Sequence, residues 1–95
     1  MKGIAHDITT DEHLHREGVS ALSGYKCLIT GTHPEYYSSA MMVGIREFTR
    51  TGGRLLYLGA NGFYWHVAFN DASCNQMEMR RAEGGMRFWI TEPGE

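Results

Sequence analysis

Apolar residues in this chain fall into short separated blocks, and the spacing inside each block predicts an element. Met41, Ile45 and Phe48 recur at i, i+4 and i+7, with Met42 widening the stripe, so a helix follows Ser38 or Ser39 as its cap. Gly52 and Gly53 end it with residues free to take positive φ. On either side lie KCLIT (26–30) and RLLYLG (54–59), continuous apolar runs of the kind buried on both faces of a parallel sheet. Strand, loop, helix, glycine stop and strand is the order of a right-handed βαβ unit.

The flanks are less regular. GIAHDITT (3–10) carries Ile4, Ile8, Thr9 and Thr10 and reads as a short strand leading into a cap. Thr10 followed by Asp11 and Glu12 places an N-cap ahead of two acids, which predicts a helix from Asp11 to Arg16 interrupted by Gly18. VSALSGY then turns and carries Val19 and Leu22 onto the core. Past the GANG loop, YWHVAF, MEMRRA and MRFWI mix apolar and polar residues, and Glu83-Gly84-Gly85 turns a hairpin between the last two. The expected class is α/β, with C-terminal antiparallel strands at a sheet edge.

Ninety-five residues allow one domain, 1–95, with a single core. The chain opens on what reads as the tail of an earlier unit and closes on TEPGE without a final element, so a fragment of a larger domain is expected. A formal net charge of -2 lacks the basic excess that phosphate-backbone binding requires, which argues against nucleic acid. No window approaches the roughly 18 apolar residues of a membrane span. Cys27 and Cys74 form no metal-spaced pair and read as reduced thiols, so a cytoplasmic location is expected. The six methionines suit a core or a subunit contact.

Candidate chemistry gathers in two loops. Ligands of open α/β sheets sit at the carboxyl ends of the strands, where THPEYYS (32–38) and GANGFYW (59–65) should be neighbours. Together they offer His33, Glu35, Asn61 and the aromatic residues Tyr36, Phe63, Tyr64 and Trp65 as a pocket lining. Pro34 pushes His33 toward an extended conformation, and in an extended loop His33 and Glu35 project to one side. That pair suits a metal carboxylate beside a proton acceptor, while solvated or capping residues of the same types are the plainer reading. Phe63, Tyr64 and Trp65 equally suit core packing. His13 and His15 point about 200° apart on a helix and read as surface residues. His6 and His66 read as packed or surface residues. GANGFYW lacks the G-x-G-x-x-G order and lysine of a phosphate site.

The blocks TDEHLHREG, GYKCLITGTHPEYYS, RTGGRLLYLGANGFYW, MRRAEGG and EPGE resemble the carboxyl-terminal region of the large (beta) subunit of N,N-dimethylformamidase across nearly the whole chain. The resemblance implies a hydrolase of small N-substituted formamides, giving formate and an amine. Its fold would be part of a class I glutamine amidotransferase-like unit, a flavodoxin- or Rossmann-like three-layer arrangement. Its cofactor would be a mononuclear iron held by two tyrosines and a glutamate. Glu35 matches the glutamate ligand, His33 a group that backs the metal ligands or acts as general base, and Asn61 a residue that positions water or substrate. The implied partners are a small amide substrate, a further copy of the chain in a homodimer or other homo-oligomer, and a small subunit.

The family's two tyrosine ligands lie farther upstream of the HPE motif than this chain extends. Tyr25, Tyr36 and Tyr37 are therefore not assigned to them, and the chain alone is expected to bind iron poorly and to hydrolyse little. A non-catalytic α/β binding or oligomerisation module is the alternative.

Overall fold

Ser38 fixes the start of the longest helix: its hydroxyl accepts from the Met41 amide at 3.2 Å, satisfying one of the N–H groups that a first helical turn leaves open. The computed structural model describes residues 3–70 and 72–79. In chain order the elements are α1 (Asp11–Glu17), a 3-10 turn (Gly18–Leu22), β1 (Cys27–Ile29), β2 (Tyr36–Tyr37), α2 (Ser39–Arg50), β3 (Arg54–Leu56), β4 (Trp65–Phe69) and β5 (Met77–Met79). The architecture is mixed α/β, with two helices and two small sheets.

The expected apolar stripe is the core. Met41, Ile45 and Phe48 are buried on α2 and meet Leu14 from α1, Leu22 from the 3-10 turn and Tyr37 from β2. Gly44 lies on the same face, where an added Cβ would stand 3.0 Å from the Gly18 carbonyl carbon. A glycine inside a helix costs up to about 1 kcal/mol against alanine, and here it lets the Gly18–Val19 backbone cross close to α2. Thr10 caps α1 as expected, accepting from the His13 amide.

β1 and β3 pair in parallel, Cys27 opposite Arg54, Leu28 opposite Leu55 and Ile29 opposite Leu56, with α2 between them in sequence. The Arg54 amide bonds the Lys26 carbonyl and the Thr30 amide bonds the Leu56 carbonyl, continuing the ladder at both ends. The strand–helix–strand expectation therefore stands.

Burial on both faces does not. Leu28 and Leu55 pack toward the core, while Ile29 is 36 % and Leu56 45 % exposed. Alternate strand residues point to opposite faces, so one helix covers only one of them.

Three further expectations change. Residues 5–10 form no strand; Ile4 and Ile8 lie exposed, and β-branched residues without a neighbouring strand have no ladder to join. Val19 also remains exposed, and only Leu22 of its turn reaches the core. Tyr36–Tyr37, expected within a loop, instead pairs in parallel with β4, Tyr36 opposite Trp65 and Tyr37 opposite His66.

β4 in turn pairs antiparallel with β5, so the C-terminal strands build a separate sheet in the order β2-β4-β5 rather than extending the edge of β1-β3. The predicted hairpin at Glu83-Gly84-Gly85 and the MRFWI strand lie outside the described residues. No helix among the described residues is long and apolar enough to cross a membrane.

Candidate functional site

The loop after β1 turns on Pro34. The Glu35 amide bonds the His33 carbonyl at 2.9 Å, closing a three-residue turn with proline at its centre. His33 and Glu35 do come to one side, though by this tight turn and not by the extended loop expected: His33 Nδ1 lies 3.3 Å from Glu35 Oε1. The glutamate side chain is 18 % exposed and the imidazole 62 %, so the carboxylate sits inward and the ring reaches toward solvent.

Four backbone bonds lock this turn to the Gly59–Trp65 loop. The Ala60 amide bonds Thr32 O at 3.0 Å and the Phe63 amide bonds Pro34 O at 2.9 Å, while the Tyr64 and Trp65 amides share Glu35 O at 3.0 and 2.9 Å. The two loops are thus neighbours at the strand ends, as the sheet geometry predicts. The bonds from Ala60 and Phe63 bracket Asn61 on one strand of the contact and His33 on the other. Asn61 takes φ 53, a left-handed conformation that asparagine tolerates better than most residues.

Gly59 permits the contact. A Cβ there would lie 2.5 Å from Pro34 Cδ and 2.8 Å from the carbonyl oxygens of Gly31 and Thr32.

The aromatic residues split into two groups. Phe63 stands at φ 58 and packs its ring 4.8 Å from Tyr37 and 6.1 Å from Tyr57, against the core. Trp65 is buried with its ring edge-on to Tyr64, whereas Tyr36 and Tyr64 are exposed. Tyr57, unremarked in the sequence, supports the loop by accepting from the Gly62 amide through its hydroxyl at 2.9 Å.

A cavity of about 370 Å³ opens at the carboxyl end of β1. His33, Pro34 and Thr32 reach it from the loop, Thr10 and Asp11 from the start of α1, and Tyr37 from β2. Glu35, Asn61, Tyr36, Phe63, Tyr64 and Trp65 are not among its lining residues. Burial, with smaller contributions from Asp11 and Tyr57, pushes the Tyr37 phenol up to about 12. Burial also raises Asp11 above the usual carboxylate range, with Glu12 adding to the effect. A larger hollow of about 480 Å³ lies at the other end of the strands, by Tyr25 and Gly52-Gly53, away from His33 and Glu35.

All 95 residues match the family described as N,N-dimethylformamidase beta subunit-like, C-terminal. The chain belongs to this family. It is 38 % identical over 93 residues to the N,N-dimethylformamidase beta subunit of Paracoccus aminophilus and, to the same extent, to that of an Alcaligenes species. The match covers 98 % of this chain and 12 % of each relative.

The donor set bears on the iron that this family resemblance implies. Among the described residues no third His, Cys, Asp or Glu joins His33 and Glu35 in a group able to hold a metal ion. One carboxylate and one imidazole at this turn are fewer than the three or more protein ligands of an ordinary metal centre, so the pair fits part of such a site and would need further ligands to complete it.

Of the remaining histidines, His15 departs from its expected surface place and His66 takes the packed one of its two expected places. His15 is not a solvated residue: Nδ1 lies 2.7 Å from Ser38 Oγ and the ring 4.6 Å from Phe69. His66 is buried, with Nε2 3.1 Å from Ser39 Oγ. Both tie the start of α2 to its neighbours, and neither side chain belongs to the His33–Glu35 pair. His13, by contrast, remains on the surface beside Glu17.

Proposed function

We propose that the chain is a portion of an amidohydrolase acting on small N-substituted formamides, and that it supplies Glu35, His33 and Asn61 to the reacting centre. The observation that carries this reading is the His33–Glu35 contact at 3.3 Å, on a turn bonded to the Asn61 loop, within a chain of the dimethylformamidase family. A carboxylate beside Nδ1 orients an imidazole and leaves Nε2 to take a proton from water. Asn61, on the facing loop, positions water or the amide. Hydrolysis adds the water oxygen to the formyl carbon and breaks the C–N bond, giving formate and the amine.

Glu35, whose Oε1 faces His33, would be the residue of this chain that holds the iron ion, with the remaining ligands coming from sequence outside this chain, and the ion would supply Lewis-acid polarisation of the amide carbonyl. The exposed side of Ile29 and Leu56 supports the larger fold: a three-layer amidotransferase-like unit covers both faces of its parallel sheet. The relatives are named as beta subunits, which supports assembly with other chains.

Equilibrium dialysis of the chain against ferric iron tests the ligand assignment. Weak binding that Glu35→Ala removes is expected, together with little amine release from N,N-dimethylformamide. Tight stoichiometric binding that survives Glu35→Ala would contradict it.

A further inference from the structure

We propose that the cavity at the carboxyl end of β1 is a subsite for a small alkylammonium group, anchored by Asp11. The inference rests on the amidohydrolase reading for the source of that ligand, and on the cavity itself for the chemistry. At about 370 Å³ the space falls within the range of small-molecule sites, roughly 300–1,000 Å³. Its position outside a strand end is where open α/β sheets hold ligands.

The lining has two characters. Leu14, Leu28 and Ile45 give apolar walls that suit N-methyl or N-ethyl groups, and Asp11 places a carboxylate among them. Asp11 is open to solvent on one side and crowded by protein on the other, and that crowding disfavours its charged form. Among the described residues no lysine, arginine or histidine forms an ion pair with it; the ion pairs there use Glu17, Glu35 and Glu47. Glu12 beside it has the same sign, and the Tyr37 phenol facing it carries no positive charge. An ammonium group entering the cavity would give this partly covered carboxylate a counter-charge.

His33 lies on the same cavity wall system, with its Nδ1 toward Glu35. A dialkylformamide cleaved beside His33 leaves formate and a secondary amine. At neutral pH that amine takes up the acid proton and becomes a dialkylammonium ion. Asp11 then holds the leaving group while His33, with Glu35 behind its Nδ1, stands on the acyl side.

The test is a titration of the full chain with dimethylammonium chloride, followed by two-dimensional NMR, with sodium chloride and N,N-dimethylformamide as separate controls. Saturable shifts confined to the residues around Thr10, Asp11, Leu28 and Thr32 are expected, and Asp11→Asn should weaken binding at least tenfold while Asp11→Glu retains it. Absence of saturation, shifts centred elsewhere on the unaltered chain, equal shifts with sodium, or binding indifferent to Asp11→Asn would overturn the subsite. The site map on the unaltered chain stands whether or not the Asn variant folds. Because no turnover is measured, the two readings separate. Binding of dimethylammonium by a chain that supports no amide hydrolysis even when carried within a whole beta subunit removes the enzymatic reading alone, and hydrolysis by that assembly without such binding by the chain removes the subsite alone.

Discussion

Gly59 and Pro34 are in contact at a distance no side chain would allow, since a Cβ on Gly59 would stand 2.5 Å from Pro34 Cδ. Proline is rigid, and the other near atoms are backbone oxygens of Gly31 and Thr32, so nothing close by can yield cheaply. Gly59→Ala is expected to destabilise the fold by about 1–3 kcal/mol, as overpacking does. Urea unfolding measures the loss. Amide exchange should also quicken at Ala60 and Phe63, whose N–H groups bond the Thr32 and Pro34 carbonyls.

Ser38 serves two elements at once, capping α2 through the Met41 amide and meeting His15 of α1. Ser38→Ala should cost about 1–2 kcal/mol in thermal or urea unfolding, the upper part of the range for lost caps. Ser38→Asp keeps an acceptor for the Met41 amide and should recover most of it.

Tyr37 gives an alkaline signature. Burial raises its phenol in the folded chain to about 12, above the ordinary tyrosine value of about 10. A group raised on folding gives its full stabilisation below its unfolded value and loses it as pH rises through the folded one. Stability should therefore fall between about pH 10 and 12, and Tyr37→Phe should flatten that part of the curve. Ultraviolet titration of the tyrosines, with melting temperatures across the same range, checks both.

Much of this was readable from residue order. The stripe Met41, Ile45, Phe48, the Thr10 cap and a cap at Ser38 or Ser39 are local signals from which α1 and α2 follow, and the structure settles the second cap on Ser38. The parallel pairing of β1 with β3 follows from the spacing of the two apolar runs around α2. Burial of those strands does not, because composition shows that Ile29 and Leu56 are apolar but not whether a second layer covers them.

At the site, proximity of the THPE and GANG loops was legible from sheet topology, and the family match over all 95 residues spans both blocks. The supporting residues were not. Gly59 is one of twelve glycines, and only the approach of Pro34 distinguishes it. Gly44 did leave a signal, a glycine inside an amphipathic helix face. The three-residue turn at Pro34, the Tyr57 hydroxyl under Gly62 and the His15–Ser38 contact join groups through backbone geometry that residue spacing does not encode.

The most direct measurement is turnover by the Paracoccus aminophilus beta subunit carrying this chain in place of the 93 residues it matches, assembled with iron and assayed for dimethylamine. The chimera is expected to hydrolyse N,N-dimethylformamide. His33→Ala should lower kcat/KM by roughly 10²–10⁴-fold, and Glu35→Ala should bring it to background, with both variants melting as the parent chimera does. A folded Glu35→Ala chimera that retains full turnover would contradict the assignment of this chain to the reacting centre.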